Sequence, residues 1–265
     1  MRILFLVFVA AAFGLQVTGA WAGEKGGAFP HPGAAPGERL QYNIHWMGLP
    51  GAKAVMRFLK GGDGGYRINA TLEAIGGVKF FFPIRDELTS DVRWKGGAWE
   101  SFHYVKDQRE GKKTMYSDYR FNREAAEVIR TVDGQEKVFP EAPEGINGPL
   151  GVFYSVRTRE TLTPGEEFAV PMVDGDKFYP ARVQVGKKQK MFTPLGWFEV
   201  VPIYPIVSSS DLFRHRGKMA IWVTTDERRL PVRVETKIRV GTAAADLVAY
   251  EDGRGGSGRM KLEEN

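Results

Sequence analysis

The sequence lacks cysteine altogether: none of its 265 residues is a cysteine. The chain can therefore form no disulfide bond and carry no lipid on an N-terminal thiol, which excludes lipoprotein anchoring. Histidine is also scarce, and its four residues are scattered without the spacing of metal ligands. The sequence therefore predicts no metal and no cofactor. It also predicts a domain that is held together by its hydrophobic core alone.

Motifs for catalysis and for nucleic-acid binding are absent as well. No Gly-x-Ser-x-Gly elbow marks a serine nucleophile, and no cluster of lysine and arginine marks a nucleic-acid surface. The formal net charge is +5, with basic and acidic residues interleaved along the chain, which is typical of a solvated mixed surface. These absences favour a protein that binds or docks over an enzyme, and they argue against a nucleic-acid partner.

The one long apolar run lies at the N-terminus, in residues 3–17, directly after Arg2. Residues 20–22 follow the small-x-small rule of signal peptidase, which predicts a signal peptide over residues 1–22. The run is too short for a stable transmembrane anchor, and no later stretch approaches the roughly 20 residues that a membrane-spanning helix needs. We therefore expect export to the periplasm of a Gram-negative bacterium, with no transmembrane anchor after cleavage.

Hydrophobic periodicity predicts the fold class. Apolar residues alternate with polar ones in many short segments, most regularly in residues 219–223 and 232–240, and turn residues separate the segments. This pattern predicts an all-β protein whose curved antiparallel sheet forms a sandwich or a half-open barrel. One short helix is predicted near residues 147–157, where apolar residues recur at three- and four-residue spacings after a proline.

The composition also divides the chain. Residues 23–37 are rich in glycine and proline and predict a flexible lead-in. Residues 38–251 carry the strand pattern and predict a single β-rich domain. Residues 252–265 are rich in glycine and charge, which predicts a disordered tail.

Several motifs together resemble a known family. They are the Gly-Glu-x-Leu-x-Tyr opening at residues 37–42, the short helix that ends at Arg157, the Thr-Pro-Leu-Gly-Trp run at 193–197 and the segment 221–232. In this order they resemble the bacterial exported family called domain of unknown function 3108, over about residues 37–250. The resemblance implies an envelope-associated β-rich domain of Gram-negative bacteria, and it supplies no catalytic residues.

Aromatic and arginine residues are the candidates for a ligand-binding site. Aromatic side chains can line a cleft for an acyl chain or stack on sugar rings, and guanidinium groups match anionic groups. The candidates are Phe80, Phe81, Phe82, Trp94, Trp197, Trp222, Arg228 and Arg229. The competing interpretations are an aromatic core and a charged hairpin turn. Residues 80–82 predict either a buried strand or an exposed apolar lip. Because consecutive side chains in a strand point to opposite faces, at least one of the three must leave the main core.

Three functional hypotheses follow from these residues. The first is a periplasmic, non-catalytic binding or accessory protein for a lipid-like or glycan component of the cell envelope. The second is a structural or docking subunit that contacts an outer-membrane or periplasmic protein partner. The third is a carbohydrate-active enzyme that uses Glu87 and Asp91 as paired carboxylates. A deep cavity would favour the first, an exposed apolar patch the second, and two carboxylates facing each other in a cleft the third.

Overall fold

The computed structural model describes residues 33–206, 219–237 and 241–259. The predicted signal peptide and most of the predicted lead-in lie outside these ranges. The described residues form sixteen strands and two helices. In chain order, these are β1 (Glu38–Trp46), β2 (Leu49–Lys60), β3 (Tyr66–Ala74), α1 (Gly76–Phe81), β4 (Ile84–Lys95), β5 (Ala98–Glu110), β6 (Lys113–Asn122), β7 (Glu127–Val132), β8 (Gln135–Phe139), α2 (Pro149–Arg157), β9 (Glu167–Asp174), β10 (Lys177–Val185), β11 (Gln189–Thr193), β12 (Gly196–Ile206), β13 (Met219–Thr224), β14 (Pro231–Lys237), β15 (Thr242–Asp252) and β16 (Ser257–Arg259).

All the strands belong to one antiparallel sheet. Its order is β8-β7-β6-β5-β4-β3-β2-β1-β15-β14-β13-β12-β10-β9, with β11 paired to β12 and β16 to β15. The first eight strands follow one another as hairpins, and β1 then pairs with β15. The prediction of an all-β fold with a curved antiparallel sheet is confirmed, and the ladder does not close into a barrel because β8 and β9 are not paired with each other.

The predicted helix is α2, and it begins at Pro149. Proline fits the first helical position because the amide hydrogen that it lacks would have no partner there. Leu150 and Tyr154 are four residues apart, so they lie on one face of the helix and pack into the main core. Tyr154 joins an aromatic cluster inside the curved sheet, where its ring lies 4.9 Å from that of Phe58.

The aromatic run 80–82 does not form the strand that its sequence also allowed. Residues 76–81 form the short helix α1, in which the amide of Phe82 donates to the carbonyl of Val78 at 2.7 Å. Gly76 begins this helix with a φ of 55°, a conformation that glycine adopts without strain. Pro83 then stops the helix, and β4 begins at the next residue. The aromatic run therefore lies in the helical connection between β3 and β4 and not in a strand.

Part of the predicted disordered tail is ordered in the structure. Ser257–Arg259 forms β16, which pairs with Ala249–Glu251 of β15. The carboxylate of Asp252 accepts hydrogen bonds from the amides of Arg254 and Gly256, both at 2.8 Å, and so fixes the turn between the two strands. Local hydrogen bonding of this kind offsets the conformational entropy of a glycine-rich segment.

Side chains join the two ends of the sheet where backbone pairing does not. The ammonium group of Lys106 on β5 donates to Asp174 on β9 at 2.6 Å. The hydroxyl of Tyr119 on β6 accepts from the amide of Gly175 at 3.0 Å, and Arg130 on β7 pairs with Asp176. The β9–β10 end therefore folds back against β5–β7. Helix α2 is enclosed by this curl and packs against β4, β5 and β9.

A buried ion pair connects α2 to the first strand. Arg157 and Glu38 are 1% and 2% exposed, and the guanidinium donates two hydrogen bonds to the carboxylate, at 2.8 and 2.9 Å. The hydroxyl of Tyr154 donates to the same carboxylate at 2.6 Å. Burial would lower the pKa of Arg157, but the charge and hydrogen bonds of Glu38 hold it above its ordinary value. The arginine is therefore charged and fully paired.

The same arginine also fixes the turn between β13 and β14. Its Nε donates to the carbonyl of Arg229 at 3.1 Å, and Arg229 donates back to the carbonyl of Arg157 at 3.1 Å. Arg229 has a φ of 45°, a left-handed conformation that costs a residue with a Cβ about 1 kcal/mol. Tyr42 on β1 completes the connection by donating to the carbonyl of Pro231 at 3.0 Å. One buried network therefore joins β1, α2 and the β13–β14 turn.

Arg157→Met should destabilise the protein by about 3–5 kcal/mol, because it leaves the carboxylate of Glu38 buried without a cation. Urea unfolding measures the loss. The double variant Glu38→Leu/Arg157→Met should be less destabilised than the sum of the two single variants, since it removes both charges.

Arg120→Met is the matched control. Arg120 pairs with Glu136 on the outer face of the sheet, where both side chains are more than half exposed. Its loss should cost less than about 1 kcal/mol, as for other surface pairs. Equal losses for Arg120→Met and Arg157→Met would show that the buried pair has no special weight in the fold.

Candidate functional site

An apolar cleft lies between α2 and the strands β9, β10, β12 and β13. Its volume is about 50 Å³, which makes it narrow. The residues that line it are Pro149, Val152, Phe153, Val156, Arg157, Met172, Ala181, Val183, Ile203, Pro205, Met219, Ile221 and Val223. Arg157 is the one charged residue among them, and its charge is neutralised by Glu38.

The periodicity of the surrounding elements creates the cleft. Val152 and Val156 are one helical turn apart, so they share a face of α2 that differs from the face buried in the main core. Met219, Ile221 and Val223 alternate along β13 and therefore point to one side of the sheet. The cleft forms where these two apolar surfaces meet without filling the space between them.

The chemistry of the cleft is that of an apolar binding site. The guanidinium of Arg157 directs its hydrogen bonds to Glu38 and to the carbonyls of Arg228 and Arg229. The described lining therefore offers a ligand methyl and methylene groups rather than hydrogen-bond partners. An apolar cleft this small accepts only a short, unbranched alkyl segment, whereas the hydroxyl groups of a sugar would lose their hydrogen bonds there.

None of the eight sequence-predicted site residues lines this cleft. Phe80 and Phe81 are each 83% exposed on α1, and Phe82 is half-buried against the main core. Trp94 is also half-buried and packs edge-to-face on Trp99, with ring centroids 5.1 Å apart. The prediction of an exposed apolar lip thus describes Phe80 and Phe81, while Phe82 and Trp94 belong to the core.

The other two predicted tryptophans, Trp197 and Trp222, have different surroundings. Trp197 is 69% exposed and packs against Phe192 on the β11–β12 hairpin, with ring centroids 5.4 Å apart and the rings tilted. Trp222 on β13 is half-buried against the main core. Its indole N–H is buried and finds no acceptor among the described residues. The structure does not bring these tryptophans together into one site.

The two predicted arginines make contacts within the protein. Arg228 pairs with Asp226 and donates to the hydroxyl of Tyr250. Burial would raise the pKa of Asp226, but hydrogen bonds from Arg228 and Thr224 lower it below its ordinary value. Arg229 donates to the carbonyls of residues 157, 159 and 160. This geometry matches the hairpin-turn interpretation of these arginines.

The two candidate carboxylates lie on the outer face of β4 and have partners there. Glu87 accepts a hydrogen bond from Asn69 at 2.8 Å, and Asp91 pairs with Arg67 at 2.6 Å. His103 lies next to Asp91 and contacts Asp118 at 2.8 Å. Among the residues that the structure describes, no group of three or more histidine and acidic residues is arranged to hold a metal ion. Glu87 and Asp91 are four residues apart on one strand, so they lie on the same face of the sheet, and neither lines the apolar cleft.

The cleft carries little signal in the sequence. Its lining consists mostly of aliphatic residues, which in the sequence are indistinguishable from core residues. The alternation of Met219, Ile221 and Val223 predicts a strand but not a cleft.

No helix within the described ranges is long and apolar enough to cross a membrane.

Comparison with solved structures supports the fold. A β-barrel-like protein of domain of unknown function DUF1849 from Brucella abortus is similar at a TM-score of 0.50 and 11% identity, over 81% of this chain and 97% of that one. A candidate lipoprotein from Parabacteroides distasonis has a TM-score of 0.33 at 10% identity, over 82% and 95% of the two chains. A candidate exported protein with a YmcC-like fold from Bacteroides fragilis has a TM-score of 0.32 at 11% identity, over 81% and 95%.

Comparison with curated proteins and with family models gives different results. No curated protein matches the chain. The model of the protein family of unknown function DUF3108 matches residues 41–248, which include most of the β-rich domain. The chain therefore belongs to the DUF3108 family.

Proposed function

We propose that this protein is an exported, non-catalytic accessory protein that binds the alkyl part of a lipid-like component of the cell envelope. The observation that carries the proposal is the cleft beside α2, whose described lining is apolar apart from one neutralised arginine. The predicted signal peptide supports a periplasmic location, where such lipids are in transit or anchored.

The structure of the cleft argues for a ligand that needs no polar partner. Ordered water needs two to four hydrogen-bond partners to be stable in a cavity, and this lining supplies few. An alkyl segment would replace such water without leaving polar groups unpaired, and each buried methylene would contribute about 0.8 kcal/mol. A lipid chain therefore fits the site better than the glycan that the sequence also allowed.

Native mass spectrometry of the protein isolated after export tests the proposal. We expect a stoichiometric ligand to remain bound under gentle conditions, and solvent extraction should release a molecule with an alkyl chain. Protein that is free of ligand, and that also fails to bind a fluorescent long-chain fatty acid, would contradict the proposal.

Ile221→Trp should weaken binding of the fluorescent fatty acid at least about tenfold, because a larger side chain would occupy part of the cleft. Ile221 is half-buried at the cleft, so the change should cost only about 1–3 kcal/mol of stability. The matched control is Val138→Trp. Val138 is 49% exposed on β8 and does not line the cleft. Equal affinity of the two variants would place the ligand elsewhere.

A further inference from the structure

Exposed apolar side chains gather at one end of the sheet. Trp46, Met47 and Leu49 come from the β1–β2 hairpin and are 41%, 63% and 69% exposed. Phe80 and Phe81 come from α1 and are each 83% exposed. We call these five residues the apolar tip.

Strand register brings the two segments of the apolar tip to the same end. Trp46 pairs with Leu49 where β1 turns into β2, and Ala52 of β2 pairs with Ala74 at the end of β3. The amide of Ile75 then donates to the carbonyl of Gly51 at 3.0 Å, so α1 begins next to the hairpin. The tip is thus built by neighbouring connections of one meander.

The residues of the apolar tip are not buried in the core. Helix α1 contributes no buried residue, and the rings of Phe80 and Phe81 pack on each other with centroids 5.2 Å apart. Large apolar residues that are exposed together, rather than singly, mark an interaction surface. The aromatic rings therefore have a role outside the fold of the described residues.

Basic residues lie beside the α1 part of the apolar tip. Lys79 lies on α1 itself, and Arg85 follows it at the start of β4. The amide of Gly111 donates to the carbonyl of Pro83 at 2.7 Å, which holds the β5–β6 turn, with Lys112 and Lys113, beside α1.

The charge around the tip is not balanced. Four bases lie next to the surface acids Glu73 and Glu110 and the buried Asp86, and Lys79 is paired with Glu73 at 2.9 Å. The side chains of Arg85, Lys112 and Lys113 are exposed. This end of the sheet therefore presents apolar groups within a net positive charge.

From this arrangement we infer that the apolar tip docks on an anionic lipid bilayer. Aromatic, methionine and leucine side chains enter the boundary between headgroups and acyl chains, and lysine and arginine contact the lipid phosphates. Each base near an anionic membrane adds to the attraction. The positive charge beside the tip complements the negative charge of an anionic membrane. A neutral protein partner would leave these bases without an opposite charge.

Docking would also orient the cleft. Met219 lines the cleft and pairs with Thr236, which pairs in turn with Ala243. Ala243 pairs with Trp46 of the tip, so Met219 lies at the same end of the sheet as the tip. A protein docked through the tip therefore holds this part of the cleft close to the bilayer. The inference does not depend on the cleft being occupied, and vesicle binding is measured separately from ligand retention.

Flotation with lipid vesicles tests the docking surface. The protein isolated after export should float with vesicles of phosphatidylethanolamine and phosphatidylglycerol, and much less with vesicles of phosphatidylcholine alone. Phe80→Ser/Phe81→Ser should reduce the partition coefficient at least about tenfold, since each phenylalanine buries apolar surface in the boundary. Its thermal unfolding should be unchanged, because these side chains are not buried.

Phe192→Ser/Trp197→Ser is the matched control. These aromatic residues are 68% and 69% exposed, but their hairpin lies at the opposite end of the sheet, beyond the paired residues Val200 and Thr224. The control should bind anionic vesicles as the parent protein does. A loss of binding in the control but not in Phe80→Ser/Phe81→Ser would overturn the inference.

Lys112→Glu/Lys113→Glu should reduce binding to anionic vesicles at least about tenfold at low salt and should flatten its salt dependence. Equal binding to anionic and neutral vesicles, or no vesicle binding by the parent protein, would contradict docking on an anionic bilayer. In the latter case the tip would be a contact for a protein partner. Retention of the cleft ligand by these variants would show that the proposed function stands even if the docking inference fails.

Discussion

The buried pair of Glu38 and Arg157 is the interaction on which the fold depends most. A charge inside a protein is tolerated only with a partner and satisfied hydrogen bonds, and this network supplies both. It ties the first strand, the inner helix and the β13–β14 turn to each other across more than a hundred residues of sequence. Because α2 is held in this position, one of its faces fills the core and the other borders the cleft.

The network joins motifs that lie far apart in the sequence. The opening motif supplies Glu38 and Tyr42, the helix supplies Arg157, and the charged turn supplies Arg229 and Pro231. The sequence allows the Arg228–Arg229 turn to bind an anion, but its contacts are those of a structural element. These contacts are requirements of folding, so they reveal the architecture and not the ligand.

The curl of the sheet separates two kinds of surface. Side-chain contacts from Lys106, Tyr119 and Arg130 to the β9–β10 end close the fold without an additional ladder. Inside this closure lie the aromatic core and the narrow aliphatic cleft. Outside it, at one end of the strands, lie the apolar tip and the bases beside it. A lipid-binding cleft and a membrane-docking tip are compatible uses of these two surfaces.

The sequence by itself determined the fold class, the inner helix and the position of most strands, because alternation and turn residues act locally. It also singled out residues 80–82, since consecutive side chains in a strand point to opposite faces and at least one of the three must leave the main core. Tertiary structure alone decided that Phe80 and Phe81 lie in a short helix, because the chain must reverse direction there for β3 and β4 to pair. It likewise decided the partner of Arg157 and the lining of the cleft, since aliphatic residues in core and cleft look alike until distant strands meet.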